Sequence, residues 1–408
     1  MKNKKIIEIG AICLSAVALI VAVVLFALSS DKNSAGNSST GNTGQSGNNN
    51  AFNEGHYYDE LFKEEVMEIK ITMSEDDVFL MTETPSEDNY YYSDISINGI
   101  EWKNVAIRVR GKKNTEAVYE QGSDKYSYKL DFNKFDKKNE FYKLDGLNLD
   151  NMIEDPSYIG QYISYKLAEE LGAVVPFYTL AKVQINDGPA QWYIATEEMN
   201  NSFAKRVTGD DGTVVLFDAA NEDALLSSSD VPSNYDVEYG DDGMPSYMEK
   251  LIKVLNDPKS TEKDIEAVLN VESVLKVLAV NYVVGNYAGY QGPDPDNFCL
   301  LYDNGIISYI EKDYAGAGGN YRKDTGYSLK VSQSKPLYDT ADEERPLVTV
   351  LLGIEKYKKL YDGYVTTLFD HIETSSLLED AKKLLGDYTS TEEFKAGEVQ
   401  LYKYLKRY

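Results

Sequence analysis

The chain has 408 residues and a net charge of −26, from 41 Lys plus Arg against 67 Asp plus Glu, which argues against binding to a nucleic-acid backbone and suits either simple solubility in an exposed environment or basic partners and cations. Two cysteines, Cys13 and Cys299, and two histidines, His56 and His371, leave no material for a His/Cys zinc site or a Ser-His-Asp triad in the central region. Any chemistry is therefore expected to use carboxylates, lysines and amides, with any metal a hard, oxygen-preferring one.

In chain order, Lys2, Lys4 and Lys5 precede an uncharged apolar run from Ile9 to Leu28. About 20 residues at 1.5 Å rise span about 30 Å, the thickness of a bilayer's hydrocarbon region. Residues 1–28 are expected to form a membrane anchor or signal segment, with the amino terminus cytoplasmic and the C-terminal domain outside, or secreted if the segment is cleaved. Residues 29–55 are dominated by Ser, Gly, Asn and Thr and read as a flexible tether. Residues 56–408 then form the folded domain, which has no cysteine pair to staple it.

That domain begins β-rich. Met67, Ile69 and Ile71 alternate with Glu68 and Lys70, and segments 92–98 and 105–110 repeat the strand pattern, with turns at Asn98-Gly99 and Arg110-Gly111. Gly111 to Thr115 suits a loop closing over a ligand or a plain surface turn. Segment 126–132 alternates so that Lys129 lies opposite Tyr128 and Leu130, where a lysine can reach a phosphate from a rigid base or simply face water.

Asp155-Pro156 opens a helix that Gly172 closes. Strands are expected over 178–185 and 191–196, joined at Asn186-Asp187-Gly188 and leading into the acids Glu197 and Glu198, which suit a helix start. Segment 209–246 reads as irregular acidic insertions without the spacing of an EF-hand. Helical patterns follow at 261–282, 346–374, 375–385 and 392–407. Between them lies an apolar hairpin, Phe298 to Tyr302 and Ile306 to Ile310 around Asp303-Asn304-Gly305, with Asn297 before it and Asp313 after it. A hairpin returns the chain to its start, so those two metal-type ligands are placed to meet, although the same residues also suit an ordinary surface hairpin.

The ordered series of landmarks resembles the spore-coat protein H (CotH) kinase family over roughly 66–407. They are Arg108-Val109-Arg110-Gly111, the strand Tyr126 to Phe132, Asp155-Pro156-Ser157, Ile185 to Gly188, Tyr193 through Glu197, Asn297-Phe298 with Leu301-Tyr302, Asp313-Tyr314 before glycines, Arg345-Pro346-Leu347, and the tail from Tyr388. The resemblance implies an α+β, atypical two-lobed protein-kinase-like fold, β-rich first and helix-rich second. It implies ATP with Mg²⁺ or Mn²⁺ as cofactor, Lys129, Glu197 and Arg110 as nucleotide-site residues, and Asp313 with Asn297 at the metal. The expected activity is phosphoryl transfer from ATP to Ser or Thr of a basic protein substrate at the cell surface. The alternative is an inactive envelope or spore-surface scaffold.

The chain departs from the family pattern at Ala288, where an aspartate acting as catalytic acid or base is usual. Glu311-Lys312 stands for Pro-Trp, Ala315 for a second aspartate, and Lys112 to Thr115 for an Asn-Ser-Ser run. Asp294 and Asp296 are the acids that could supply the missing catalytic carboxylate, although Pro293 and Pro295 also suit a turn whose acids simply face water.

Overall fold

The computed structural model describes residues 57, 61, 62, 66–85, 87–139, 141–209, 213–240, 245–286, 288–292, 295–319 and 345–406. The expected anchor, the tether and Asp294 lie outside these residues. Among the described residues no helix is long and apolar enough to cross a membrane.

Seven strands close into a barrel in the order β1 (Val66–Thr72), β2 (Tyr91–Ile97), β3 (Ile100–Val109), β4 (Tyr128–Asp131), β5 (Gly146–Asp150), β7 (Gln191–Glu197) and β6 (Tyr178–Ile185). Neighbours are antiparallel except β1 and β6, which run parallel from Val66↔Leu180 to Ile71↔Ile185 and close the cylinder. The alternation seen in the sequence sets which side faces in. Met67, Ile69 and Ile71 are buried while Glu68, Lys70 and Thr72 are exposed, and Ile97, Ile107, Leu130, Leu147 and Val183 fill the same interior. Asn98 and Gly99 both take positive φ between Ile97 and Ile100, the backbone a two-residue hairpin needs.

The second half of the chain packs helices against a four-stranded antiparallel sheet. Its order is β11 (Ile306–Glu311), β10 (Phe298–Asp303), β8 (Val214–Ala219) and β9 (Tyr235–Tyr239). The helices are α1 (Glu75–Glu83) and α2 (Lys112–Glu120) on the barrel side, then α3 (Ile159–Glu170), α4 (Asn201–Thr208), α5 (Pro245–Asn256), α6 (Glu262–Glu266), α7 (Val271–Val284), α8 (Pro346–Thr349), α9 (Glu355–Thr374), α10 (Leu377–Leu385) and α11 (Glu392–Leu405). Helix α7 is apolar almost all round and buried almost throughout, which makes it the axis of this half's core. Gly285 ends it in the left-handed conformation, with its hydrogen against the Tyr404 ring of α11. The architecture is α+β, a β-rich lobe followed by a helix-rich one.

Three local expectations are corrected. Residues 112–115 are not a loop; they begin helix α2, because Thr115, Ala117 and Val118 turn inward and Gly111, at φ +79°, lets the chain swing from β3 into the helix. Helix α3 starts at Ile159 rather than at Pro156. The buried Asp155 carboxylate nevertheless caps it from a distance, accepting from Ser157 N at 3.1 Å and Gly160 N at 2.9 Å. Segment 209–246 contains β8 and β9, and β8 lies inside the sheet, between β10 and β9.

Candidate active site

Between the open ends of β3, β4, β5 and β7 and the four-stranded sheet lies a cavity of about 660 Å³, within the size range of small-molecule sites. Cations and carboxylates line it together. Arg110, Lys129 and Lys312 stand among them, with Asp150, Glu198, Asp218, Glu238, Asp296 and Asp313.

The hairpin does what its sequence suggests. Asn304 and Gly305 take positive φ, β10 pairs with β11 from Phe298↔Glu311 to Asp303↔Ile306, and the two flanking residues return to one place. Asn297 Nδ2 donates to Asp313 Oδ1 at 3.1 Å and to the Asp313 carbonyl at 3.0 Å. The Ala315 N–H donates to the same Asp313 oxygen at 3.0 Å, which leaves the other carboxylate oxygen and the Asn297 amide oxygen as donors for a cation.

Lys129 projects from β4 into the cavity and forms an ion pair with Glu198. Burial works against its charge, but the Glu198 carboxylate holds the ammonium above the usual lysine range. Glu198 fits there because Gly146 at the start of β5 presents only hydrogen; a Cβ would overlap the Glu198 carboxylate. Glu197, the acid expected to organise the site, also borders the cavity, but its carboxylate turns the other way. It is wholly inaccessible and bonds Arg206 Nη2 at 2.6 Å, Phe177 N at 3.0 Å and the Tyr57 hydroxyl. Successive residues at a strand end face opposite sides, so Glu197 builds the floor while Glu198 meets the lysine.

Arg110, at the end of β3, forms an ion pair with Asp150 of β5 inside the cavity. Burial pushes the Asp150 carboxyl up, against the pull of Arg110. Asp296 borders the cavity 3.9 Å from Lys113, whose nearer partner is Glu222 at 3.0 Å. Ala288 lines the cavity with no side-chain proton acceptor to offer.

Asp150, Asp218 and Glu238 were not singled out from the sequence, and Glu198 and Lys312 were noted there only as a helix-start acid and as a departure from the family pattern. The apolar run Val214 to Phe217 marked β8, and with it Asp218, but the surrounding Asp, Gly and Ser masked the run. Burial and the nearby Asp218 and Glu198 carboxylates push Glu238 up, so this side of the cavity is acidic.

Behind Asp313, Glu311 is only 2% exposed, with Asn281 Nδ2 and Tyr309 Oη each 3.0 Å from Oε2. Burial outweighs those bonds and pushes its carboxyl from the ordinary 4.5 up to about 8. The folded chain thus keeps a proton that the unfolded chain releases, so this group's contribution to stability is greatest at low pH and falls as pH rises towards 8. Glu311→Gln is expected to gain on the order of 3 kcal/mol more over wild type at about pH 8.5 than at about pH 5.5. Urea denaturation at both values checks this; an equal difference at the two would overturn it.

Among the described residues no three of His, Cys, Asp and Glu are gathered into a ready-made metal site. Magnesium is commonly held by one or two carboxylates together with substrate phosphates and water. The oxygen donors of Asp313 and Asn297 fit an ion that arrives with a phosphate ester.

A β-barrel lobe, a helical lobe and a charged cavity between them define a kinase-like class of protein. The CotH kinase protein family matches residues 107–402, most of the chain, and the chain belongs to that family. No curated protein matches it in sequence.

Proposed function

We propose that the cavity binds ATP with Mg²⁺ or Mn²⁺ and directs its terminal phosphoryl group to a Ser or Thr hydroxyl of a protein substrate. The observation that carries this reading is the meeting of Asn297 with Asp313 in the same cavity as the Lys129–Glu198 pair. Lys129 and Arg110 supply positive charge to phosphate oxygens, and Asp313 with Asn297 supplies oxygen donors to the divalent ion, whose chemistry is to neutralise charge on the phosphates. Asp296 is the described carboxylate available to orient the hydroxyl and take its proton; Asp294 is the second candidate by sequence. The −26 net charge supports a Lys- or Arg-rich substrate segment, and the apolar run from Ile9 to Leu28 supports a domain held outside the membrane.

Ala288 favours a second reading. It lies in the cavity where the family pattern carries an aspartate, and alanine cannot accept a proton. On that reading the protein binds nucleotide without transferring phosphate and serves as a surface scaffold for a protein partner.

Calorimetric titration of ATP into the full chain tests the common part: binding with Mg²⁺ or Mn²⁺ is expected, and no binding under any condition would remove the kinase reading. Transfer of the γ-phosphate to basic, Ser-containing peptides then separates the two forms.

A further inference from the structure

Lys312 is a cavity cation that the reading above does not use. It stands where the family pattern has tryptophan, immediately before Asp313. Its backbone is held at both ends: its N–H donates to the Asn297 carbonyl at 3.1 Å, and its own carbonyl accepts from the Tyr165 hydroxyl at 3.0 Å. The side chain, 29% exposed as a whole, reaches the cavity, where its ammonium meets Asp218 Oδ1 at 2.7 Å.

An ammonium has three N–H donors, and among the described residues one ion-pair partner, Asp218, engages it. Two donors are left for an incoming anion. The cavity also carries Asp150, Glu198, Glu238, Asp296 and Asp313, and its cations Arg110 and Lys129 are each tied to one of these carboxylates, so a polyphosphate entering it must be met by further positive charge. In kinases of the usual kind, more than one divalent ion does this. A lysine anchored on the metal-binding turn, and tied to a neighbouring carboxylate, puts one positive charge there permanently.

We infer that the Lys312 ammonium is a resident cation of the phosphate site, taking the charge-neutralising place of one divalent ion, so that a nucleoside polyphosphate binds this protein without free divalent metal. The inference rests on the nucleotide reading of the cavity. It differs in what it demands: Asp313 and Asn297 add a metal-dependent increment, while Lys312 supports binding in the metal's absence. Asp218 is then a positioning residue that aims the ammonium.

The test is calorimetric titration of ATP into the full chain, in Mg²⁺ and in EDTA, for wild type, Lys312→Arg, Lys312→Met and Lys312→Met/Asp218→Asn. Wild type in EDTA is expected to bind within about tenfold of its affinity in Mg²⁺, and Lys312→Met to lose roughly tenfold or more in EDTA but distinctly less in Mg²⁺. Lys312→Arg should keep most of the EDTA binding. The double variant should resemble Lys312→Met, because the missing cation and not an orphaned Asp218 causes the loss. Binding by wild type in Mg²⁺ but not in EDTA would overturn this inference and leave the nucleotide reading standing. Equal loss in both buffers by Lys312→Met, or full EDTA binding by the double variant, would also overturn it. Absence of ATP binding in both buffers would remove the nucleotide reading and this inference together.

Discussion

Arg206→Met is expected to lower stability by about 3–5 kcal/mol, the scale seen when one partner of a buried ion pair is removed and the other charge stays behind. Glu197 has no exposed side-chain surface, and Arg206 meets both its oxygens, with Nε at 3.1 Å from each and Nη2 at 2.6 Å from Oε2. The guanidinium also donates to the Val175 carbonyl at 3.0 Å and lies 3.9 Å over the Phe177 ring, so methionine would lose a stacking contact as well as a charge. The Tyr57 hydroxyl and the Phe177 N–H would remain as the carboxylate's neutral donors. Urea denaturation of the two proteins measures the difference. A loss under about 1 kcal/mol would mean that the pair behaves like an exposed one. Arg206 itself does not line the cavity, but Glu197 precedes Glu198, the partner of Lys129, so loosening one carboxylate should disturb the other.

Asp313→Ala is expected to abolish the gain in ATP affinity that Mg²⁺ brings. The variant removes the carboxylate that receives the Asn297 amide and the Ala315 N–H, and with it the charged oxygen donor of the proposed metal position. The ratio of affinities measured in Mg²⁺ and in EDTA should fall from a wild-type value of up to about tenfold, about 1.4 kcal/mol, to near unity. Binding in EDTA should persist if Lys312 supplies its own charge. An unchanged ratio would exclude Asp313 from metal binding, whatever the overall affinity.

The sequence was most readable where local chemistry and tertiary surroundings agree. The Asn304-Gly305 turn admits one kind of hairpin, so Asn297 and Asp313 had to come back together. Strand β1 alternates so regularly that its inward face is plain from Met67, Ile69 and Ile71 alone. The extended strand β6 and the Asn186 turn follow from the same kind of pattern. Legibility failed where a distant partner decides. Helix α2 has no side-chain cap at Gly111, so nothing local marks its start; its buried face does. The split of function between Glu197 and Glu198 depends on Arg206 on one side and Lys129 on the other, and neither is adjacent in sequence. Asp218 lies in strand β8 and Lys312 directly follows β11, with β10 between the two strands, and only the assembled sheet makes them an ion pair.

The pairing of β1 with β6 bears on where the molecule can be cut. The region that carries the family's signature begins at residue 107, inside β3, and so omits β1 and β2. A polypeptide trimmed to that region would leave β3 and β6 as open edges and uncover the apolar interior around Ile107, Leu130 and Val183. Open edges of that kind invite pairing between molecules. Arg108, which borders the cavity from the same β3, would then sit on a strand with one neighbour instead of two, and Arg110 would follow directly after it. The smallest self-sufficient piece is thus longer than the piece that similarity defines, and it has to include β1 and so begin no later than Val66.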